Sequence, residues 1–240
     1  MPFGDFHIGN KNSDVEAIKA KVRQIEENGY YWIGMGDYID AIAPKDARFD
    51  GSVVDTNLLT SDQQTDFVID LLYPIKDKCL GILIGNHEDK VRRDVGVDVV
   101  KRMCRELKAE YLGYNALIRL TFVRGERKHY QSVDIFATHG FFQGRTRSGR
   151  ITRVEQLAQW INADIYLMGH THDLGYTKDV YYTLNNRASN VVENFQSPVL
   201  GVFLCFAQAL RRAGCWMLFL SIPSFRGFSL FQKKEEVDTK

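Results

Sequence analysis

A chain of 240 residues, 45% apolar and 25% charged, has the make-up of an ordinary globular protein, enough for one domain with a small appendage. Its formal net charge of +1 supplies no global field to draw it to nucleic acid or an anionic membrane. Four widely spaced cysteines (Cys79, Cys104, Cys205, Cys215) form no C-x-x-C pair, which argues against a disulfide framework or a thiolate zinc site and makes the reduced cytoplasm the expected compartment.

The opening MPFGDFHIG has neither the basic start nor the long apolar core of a signal peptide. Ligand-capable residues appear by position 5, so the first strand is either very short or lacks a few N-terminal residues. Ser13–Glu16 reads as a capping box, in which two side chains three residues apart satisfy each other's backbone N–H groups. It opens a predicted helix carrying Val15, Ile18, Val22 and Ile25, which stops near Gly29. The run YYWIGM (30–35) reads as a buried strand, and the polar, irregular stretch 41–60 as a long loop bordering a site. A second capping box, Ser61–Gln64, opens a helix with Phe67, Val68, Leu71 and Leu72 that ends before Pro74. CLGILI (79–84) is the next strand, followed by a helix from about Val97 to Lys108 and a strand at VDIFAT (133–138). A third box, Thr152–Glu155, leads a helix with Val154, Leu157, Ala158 and Ile161, and IYLM (165–168) and VYYTL (180–184) are further strands. Short apolar runs alternating with helices predict an α/β core around a buried sheet.

From Val199 the character changes. VLGVFLCFAQAL and CWMLFLSIP are far more apolar than anything before them, with Arg211–Arg212 between. Neither half reaches the ~20 residues that span a bilayer. The expected division is a domain over residues 1–198 and an atypical apolar segment over 199–240, read as closing strands or a disturbed tail, with no membrane partner.

Each of the main apolar runs ends in a residue suited to hold a cation. Gly4 leads to Asp5-Phe6-His7, Gly36 to Asp37-Tyr38-Ile39-Asp40, Gly85 to Asn86-His87-Glu88, and Gly169 to His170-Thr171-His172. The remaining run ends at Thr138-His139-Gly140, so five of the six histidines sit at strand ends and only His129 falls elsewhere. In an extended chain His170 and His172 point to one side. Ligands of open α/β sheets bind beyond the carboxyl ends of the strands, where such loops converge. Carboxylates, imidazoles and an amide oxygen suit Zn, Mn or Fe, and there are too many for one ion. Two ions bridged by a carboxylate fit better, an arrangement typical of phosphatases and nucleases.

The blocks D-x-H, G-D-x-x-D, G-N-H-E, H-G and G-H-x-H, all present in order between residues 4 and 175, resemble the calcineurin-like metallophosphoesterase superfamily. The wording MGDYIDAI…RFD also resembles phosphoesterases common in phage genomes. The superfamily resemblance implies an α/β sandwich of two mixed β-sheets flanked by helices, with the metal site at the strand ends. It implies that Asp5, His7, Asp37 and His172 hold one metal, while Asp37, Asn86, His139 and His170 hold the other, Asp37 bridging. Both would be divalent transition-metal ions, Mn first, with Fe, Zn or Ni as alternatives. His87 matches the family's non-ligand histidine and Asp40 the acid that pairs with it. A carboxylate there keeps an imidazole oriented and protonated as an acid for the leaving oxygen. The other reading of Asp40 is a loop-capping carboxylate. The cations would activate a bridging water and neutralise phosphoryl charge while His87 protonates the departing alcohol.

The match departs at Ala41, where protein phosphatases of the superfamily carry a phosphate-gripping arginine. That weighs against phosphoprotein and leaves phosphodiesters or small esters. Arg145, Arg147, Arg150 and Arg153 in GRTRSGRITR either hold a phosphate chain or form a solvated run, and Arg145 and Arg147 are the candidate substrate contacts. The expected activity is di-metal hydrolysis of phosphate esters, with phosphodiesterase or nuclease ahead of small-molecule monoesterase. The expected partner is a phosphate-ester substrate, nucleic acid among the candidates. The rival from another class is a non-catalytic scaffold of the same fold, against which stands the complete set of ligands and acid.

Overall fold

Short parallel strands at Pro2–Phe3 (β1), Trp32–Gly34 (β2), Cys79–Leu83 (β3) and Tyr111–Gly113 (β4) form a first sheet in that order. The computed structural model describes residues 1–42, 46, 49–124, 129–140, 146–172, 175–178, 181–184, 191–196, 199–202 and 228–230. Asn115–Arg124 (β5) and His129–Thr138 (β6) make a long antiparallel hairpin, and β6 pairs in parallel with Ile165–Met168 (β7). Gly175–Lys178 (β8), Tyr181–Leu184 (β9), Val191–Gln196 (β10), Val199–Val202 (β11) and Phe228–Leu230 (β12) follow. The second sheet is mixed, ordered β12-β5-β6-β7-β11-β8, while β9 and β10 pair separately. Strand β11, the first residues of the apolar segment, lies parallel to β7 and antiparallel to β8.

Period-two alternation decides which face of the mixed sheet meets the first. Ile118 and Leu120 of β5, Ile135 and Ala137 of β6, and Ile165 and Leu167 of β7 pack against Ile33, Met35, Leu80, Leu83 and Leu112. The intervening Phe136, Tyr166 and Met168 point the other way, onto Val154, Leu157 and Ala158 of the helix Arg147–Ala158. The first sheet's outer face is covered by Val15–Asn28 (α1), Ser61–Leu72 (α2) and Val99–Leu107 (α4), through Ile18, Val22, Ile25, Val68, Leu72, Val100 and Met103. Asn86–Val95 is α3 and Arg147–Ala158 is α5, so the layers run helix, sheet, sheet, helix. This is the expected sandwich, except that among the described strands the first sheet is parallel rather than mixed. Among the described residues no helix is long and apolar enough to cross a membrane.

Helices α1, α2, α4 and α5 form where apolar spacing predicts them, α3 does not follow from that spacing, and none of the three expected capping boxes is the one that opens its helix. Helix α1 is capped by Asp14, which accepts from Ala17 N at 3.1 Å, because the Ser13 hydroxyl donates to the Phe6 carbonyl at 2.6 Å instead. Helix α2 does open on a capping box, one residue earlier, with Thr60 and Gln63 exchanging bonds of 3.1 Å each. Helix α5 starts well before Thr152, at the cap Thr146, and the Thr152 hydroxyl back-bonds to the Ser148 carbonyl at 3.0 Å. Helix α4 is capped by Asp98 and runs Val99–Leu107.

Candidate metal centre

Every cation-suited residue lies just past the carboxyl end of a strand. Asp5 and His7 follow β1, Asp37 and Asp40 follow β2, and Asn86 and His87 open α3 after β3. His139 follows β6, and His170 and His172 follow β7. The first two loops run side by side, held by Asp5 N to Gly36 O at 2.8 Å, His7 N to Asp37 O at 3.1 Å and Asp40 N to Ile8 O at 2.8 Å. The approach of the strand ends leaves no room for side chains at two glycines. A Cβ at Gly36, whose φ is +93°, would stand 2.7 Å from the Gly85 backbone, and one at Gly85 would stand 2.2 Å from Asp37 N and Oδ1.

Among the described residues seven non-glycines have positive φ, and five are Asp5, His7, Asp37, His170 and His172, between 50° and 66°. Left-handed backbone in residues with a Cβ is strained and gathers at functional sites. Here it aims carboxylates and imidazoles inward.

The donor atoms fall into two groups. Those of Asp5, His7, Asp37 and His172 lie within 4.8 Å of one another, and so do those of Asp37, His139 and His170. Asp37 belongs to both. Asn86 Oδ1 joins the second group, 3.0 Å from His139 Nε2. A third grouping, His7, Asp40 and His87, adjoins the first.

The chemistry of these contacts fits a cation. His139 Nδ1 lies 2.8 Å from the Met35 carbonyl, so that nitrogen carries the hydrogen and Nε2 is the lone-pair end. Yet Nε2 faces two further acceptors, Asn86 Oδ1 and, at 3.2 Å, Asp37 Oδ2. His7 Nε2 and His172 Nε2 face each other at 3.1 Å. His170 Nδ1 is buried with no hydrogen-bond partner among the described residues. Side-chain nitrogens and oxygens converging in this way suit a shared cation.

The electrostatics point the same way. Burial pulls the His139 imidazole down, but the Asp37 carboxylate, by charge and hydrogen bond, and Asp5 lift it to about 9. Burial pushes Asp37 up, and the imidazoles of His139, His87 and His7 outweigh that and hold it well below the ordinary carboxylate range. Burial lowers His170 and His172 to about 4, helped by the neighbouring imidazoles. Neutral His170 and His172 and an ionised shared carboxylate are the forms that ligate metal, while the His139 proton, held by Asp37 and Asp5, is the one an arriving cation would displace.

His87 stands beside these groups with its backbone N–H on Asp37 Oδ1 at 3.0 Å. Its ring differs from the expected pairing: Nδ1 lies 2.5 Å from the main-chain carbonyl of Asp40, while the carboxylate stands 3.7 Å away. That carboxylate is also 3.6 Å from His7 Nδ1 and accepts from Asn10 Nδ2 at 3.3 Å. A cavity of about 300 Å³ opens here, lined by His7, His87, His172, Asp40, Asn10 and Ile42 among others. Arg145 lies outside the described residues; Arg147 is the first residue of α5, and its side chain lies outside them too.

One residue of the centre carries no signal of its own in the sequence. Glu88 is fully buried, and its carboxylate accepts from four backbone N–H groups: Asp37 at 3.0 Å, Tyr38 at 2.6 Å, Ile39 at 3.0 Å and Gly85 at 2.9 Å. Burial and the Asp37 charge push its carboxyl upward, while four donors with no donor needed in return are matched by the ionised form. Only its place after G-N-H could have marked it.

A cluster of convergent nitrogen and oxygen donors at the strand ends of an α/β sandwich is a set that could hold divalent metal. The chain belongs to the calcineurin-like phosphoesterase family, whose model matches residues 3–174. That span takes in both donor groups, His87 and Glu88, and membership of the family indicates a metal-dependent phosphoesterase. None of the curated proteins matches the chain.

Proposed function

We propose that the protein hydrolyses phosphodiesters with two divalent cations, Mn first among them, and that nucleic acid is its leading substrate class. The observation that supports this is the pair of acceptor groups sharing Asp37, with His87 beside them. Asp5, His7, Asp37 and His172 would hold one ion, and Asp37, Asn86, His139 and His170 the other. Bound there, such ions lower the pKa of a water and neutralise charge on phosphoryl oxygens. His87 carries out the proton transfer: with Nδ1–H on the Asp40 carbonyl, Nε2 of the imidazolium is the nitrogen that gives its proton to the leaving oxygen, leaving the ring neutral. The Asp40 carboxylate, 3.6 Å from His7 Nδ1 and 3.7 Å from His87 Nδ1, holds the two rings in register. The widely spaced cysteines fit a reducing compartment, the cytoplasm.

The deciding experiment compares bis-p-nitrophenyl phosphate, p-nitrophenyl phosphate and a single-stranded oligonucleotide, with and without Mn. Cleavage that needs Mn and favours the diester is the expected result. Preference for the monoester would replace the diester reading, and no Mn-dependent turnover on any of the three would favour a scaffold.

Arg145 and Arg147 supply the nucleic-acid part of the reading. Changing both to Ala is expected to flatten the salt dependence of oligonucleotide binding by one to two phosphate contacts, each worth a slope of about −0.7. Turnover of bis-p-nitrophenyl phosphate, which has no phosphate chain for them to hold, stays near wild type. An unchanged slope would make the arginines plain surface charge.

A further inference from the structure

We infer that Glu88 is a positioning residue: its carboxylate fixes the Asp37 turn so that one side chain can serve both acceptor groups. This rests on the di-metal function proposed for the centre. Asp37 sits at φ 51°, a backbone state that an aspartate leaves unless its surroundings hold it. Left-handed geometry also turns successive N–H groups toward one point, a concavity that takes an anion. Here the anion is a side chain of the protein. Glu88 Oε2 accepts from Asp37 and Gly85, Oε1 accepts from Tyr38 and Ile39, and the residue is 0% exposed.

The neighbouring residue of α3 completes the hold. His87 N donates to Asp37 Oδ1 at 3.0 Å, so the start of one helix fixes the Asp37 backbone through Glu88 and one carboxylate oxygen through His87. Oδ2 is left facing His139 Nε2 at 3.2 Å and His7 Nε2 at 3.9 Å, one from each group. A rotation of the turn would carry Oδ2 away from both at once. Glu88 therefore acts on the shared position without touching a cation.

Glu88→Gln keeps the shape but sets an NH₂ against two of the four donors. Its expected effect, read by titration calorimetry of metal-free protein with Mn, is weaker binding of both ions by about 10–100-fold, the usual reach of a residue that orients a ligand. Glu88→Asp keeps the charge, withdraws it by one methylene, and should weaken Mn less. Trp32→Phe is the control for lost stability, since it removes a buried bond of 2.8 Å to the Ile75 carbonyl at the opposite end of β2. It should lower Tm and leave Mn affinity alone. If Glu88→Gln behaves like Trp32→Phe, Glu88 only supports the fold and the inference is wrong. Should Glu88→Gln not fold, wild-type Mn affinity in Glu88→Asp would overturn the inference equally. A wild-type stoichiometry below two ions would instead overturn the di-metal function, independently of either variant.

Discussion

Asp37→Asn is expected to empty both halves of the centre. The amide has the carboxylate's shape and can still accept from His87 N through Oδ1, so the turn keeps its main contacts. What it loses is the charge on the one side chain common to both groups, and it places an NH₂ near His139 Nε2 in place of an acceptor. Asp5→Asn is the natural comparison, because Asp5 belongs to one group only. Elemental analysis after equilibration with Mn and desalting should find two ions per chain in wild type, about one in Asp5→Asn and nearly none in Asp37→Asn. Lewis-acid stabilisation is worth several kcal/mol and about 1.4 kcal/mol is a factor of ten, so turnover should fall by roughly 10³-fold or more. Equal metal loss in the two variants would remove Asp37 from the bridging position.

His87→Asn should give the opposite pattern: two ions retained and turnover lowered by about 10²–10⁴-fold, the usual worth of general acid–base catalysis. The contact between His87 and Asp37 is made by backbone N–H and survives the change. The ring's place between the Asp40 carbonyl and the cavity does not, since an asparagine is too short to fill it. The loss should be greatest for alkyl leaving groups, which need a proton, and should shrink for p-nitrophenolate, which does not. The same loss for both classes would take His87 out of the acid role.

Much of this was legible because strand ends are punctuated. A buried run, a glycine and a cluster of Asp, Asn or His recur along the chain, and β7 has the bounds Ile165–Met168 that its apolar letters give. Helix interiors were legible for the same reason: Ile18, Val22 and Ile25 are buried at helical spacing. Helix starts were not. Thr60 and Ser61 both stand three residues before a glutamine, and at Ser13 a tertiary partner, the Phe6 carbonyl, takes the hydroxyl that would have capped. Helix α3 escaped because NHEDKVRRDV has only Val91 and Val95 as apolar letters; only Val91 joins the core, and the other buried residues, His87 and Glu88, are held by the site. Glu88 is marked by the block G-N-H-E, but its role is not, since the four N–H groups that need it come from the loops after β2 and β3, three of them far along the chain. Asp40's nearer contact with His87 runs through its carbonyl, which the identity of the side chain does not encode.

The left-handed backbone at Asp5, His7, Asp37, His170 and His172 has a consequence beyond catalysis. Each such residue costs about 1 kcal/mol over relaxed geometry, against a net stability of only ~5–15 kcal/mol for a whole domain. A ligand that binds the native state alone returns free energy by mass action, about 2.7 kcal/mol at a hundredfold excess over its Kd. Cations entering this centre are therefore linked to folding as well as to turnover. Free metal then adds to the stability of the native chain, and variants are compared like with like only at fixed metal activity, because each lost donor changes both the strain and the linkage that offsets it.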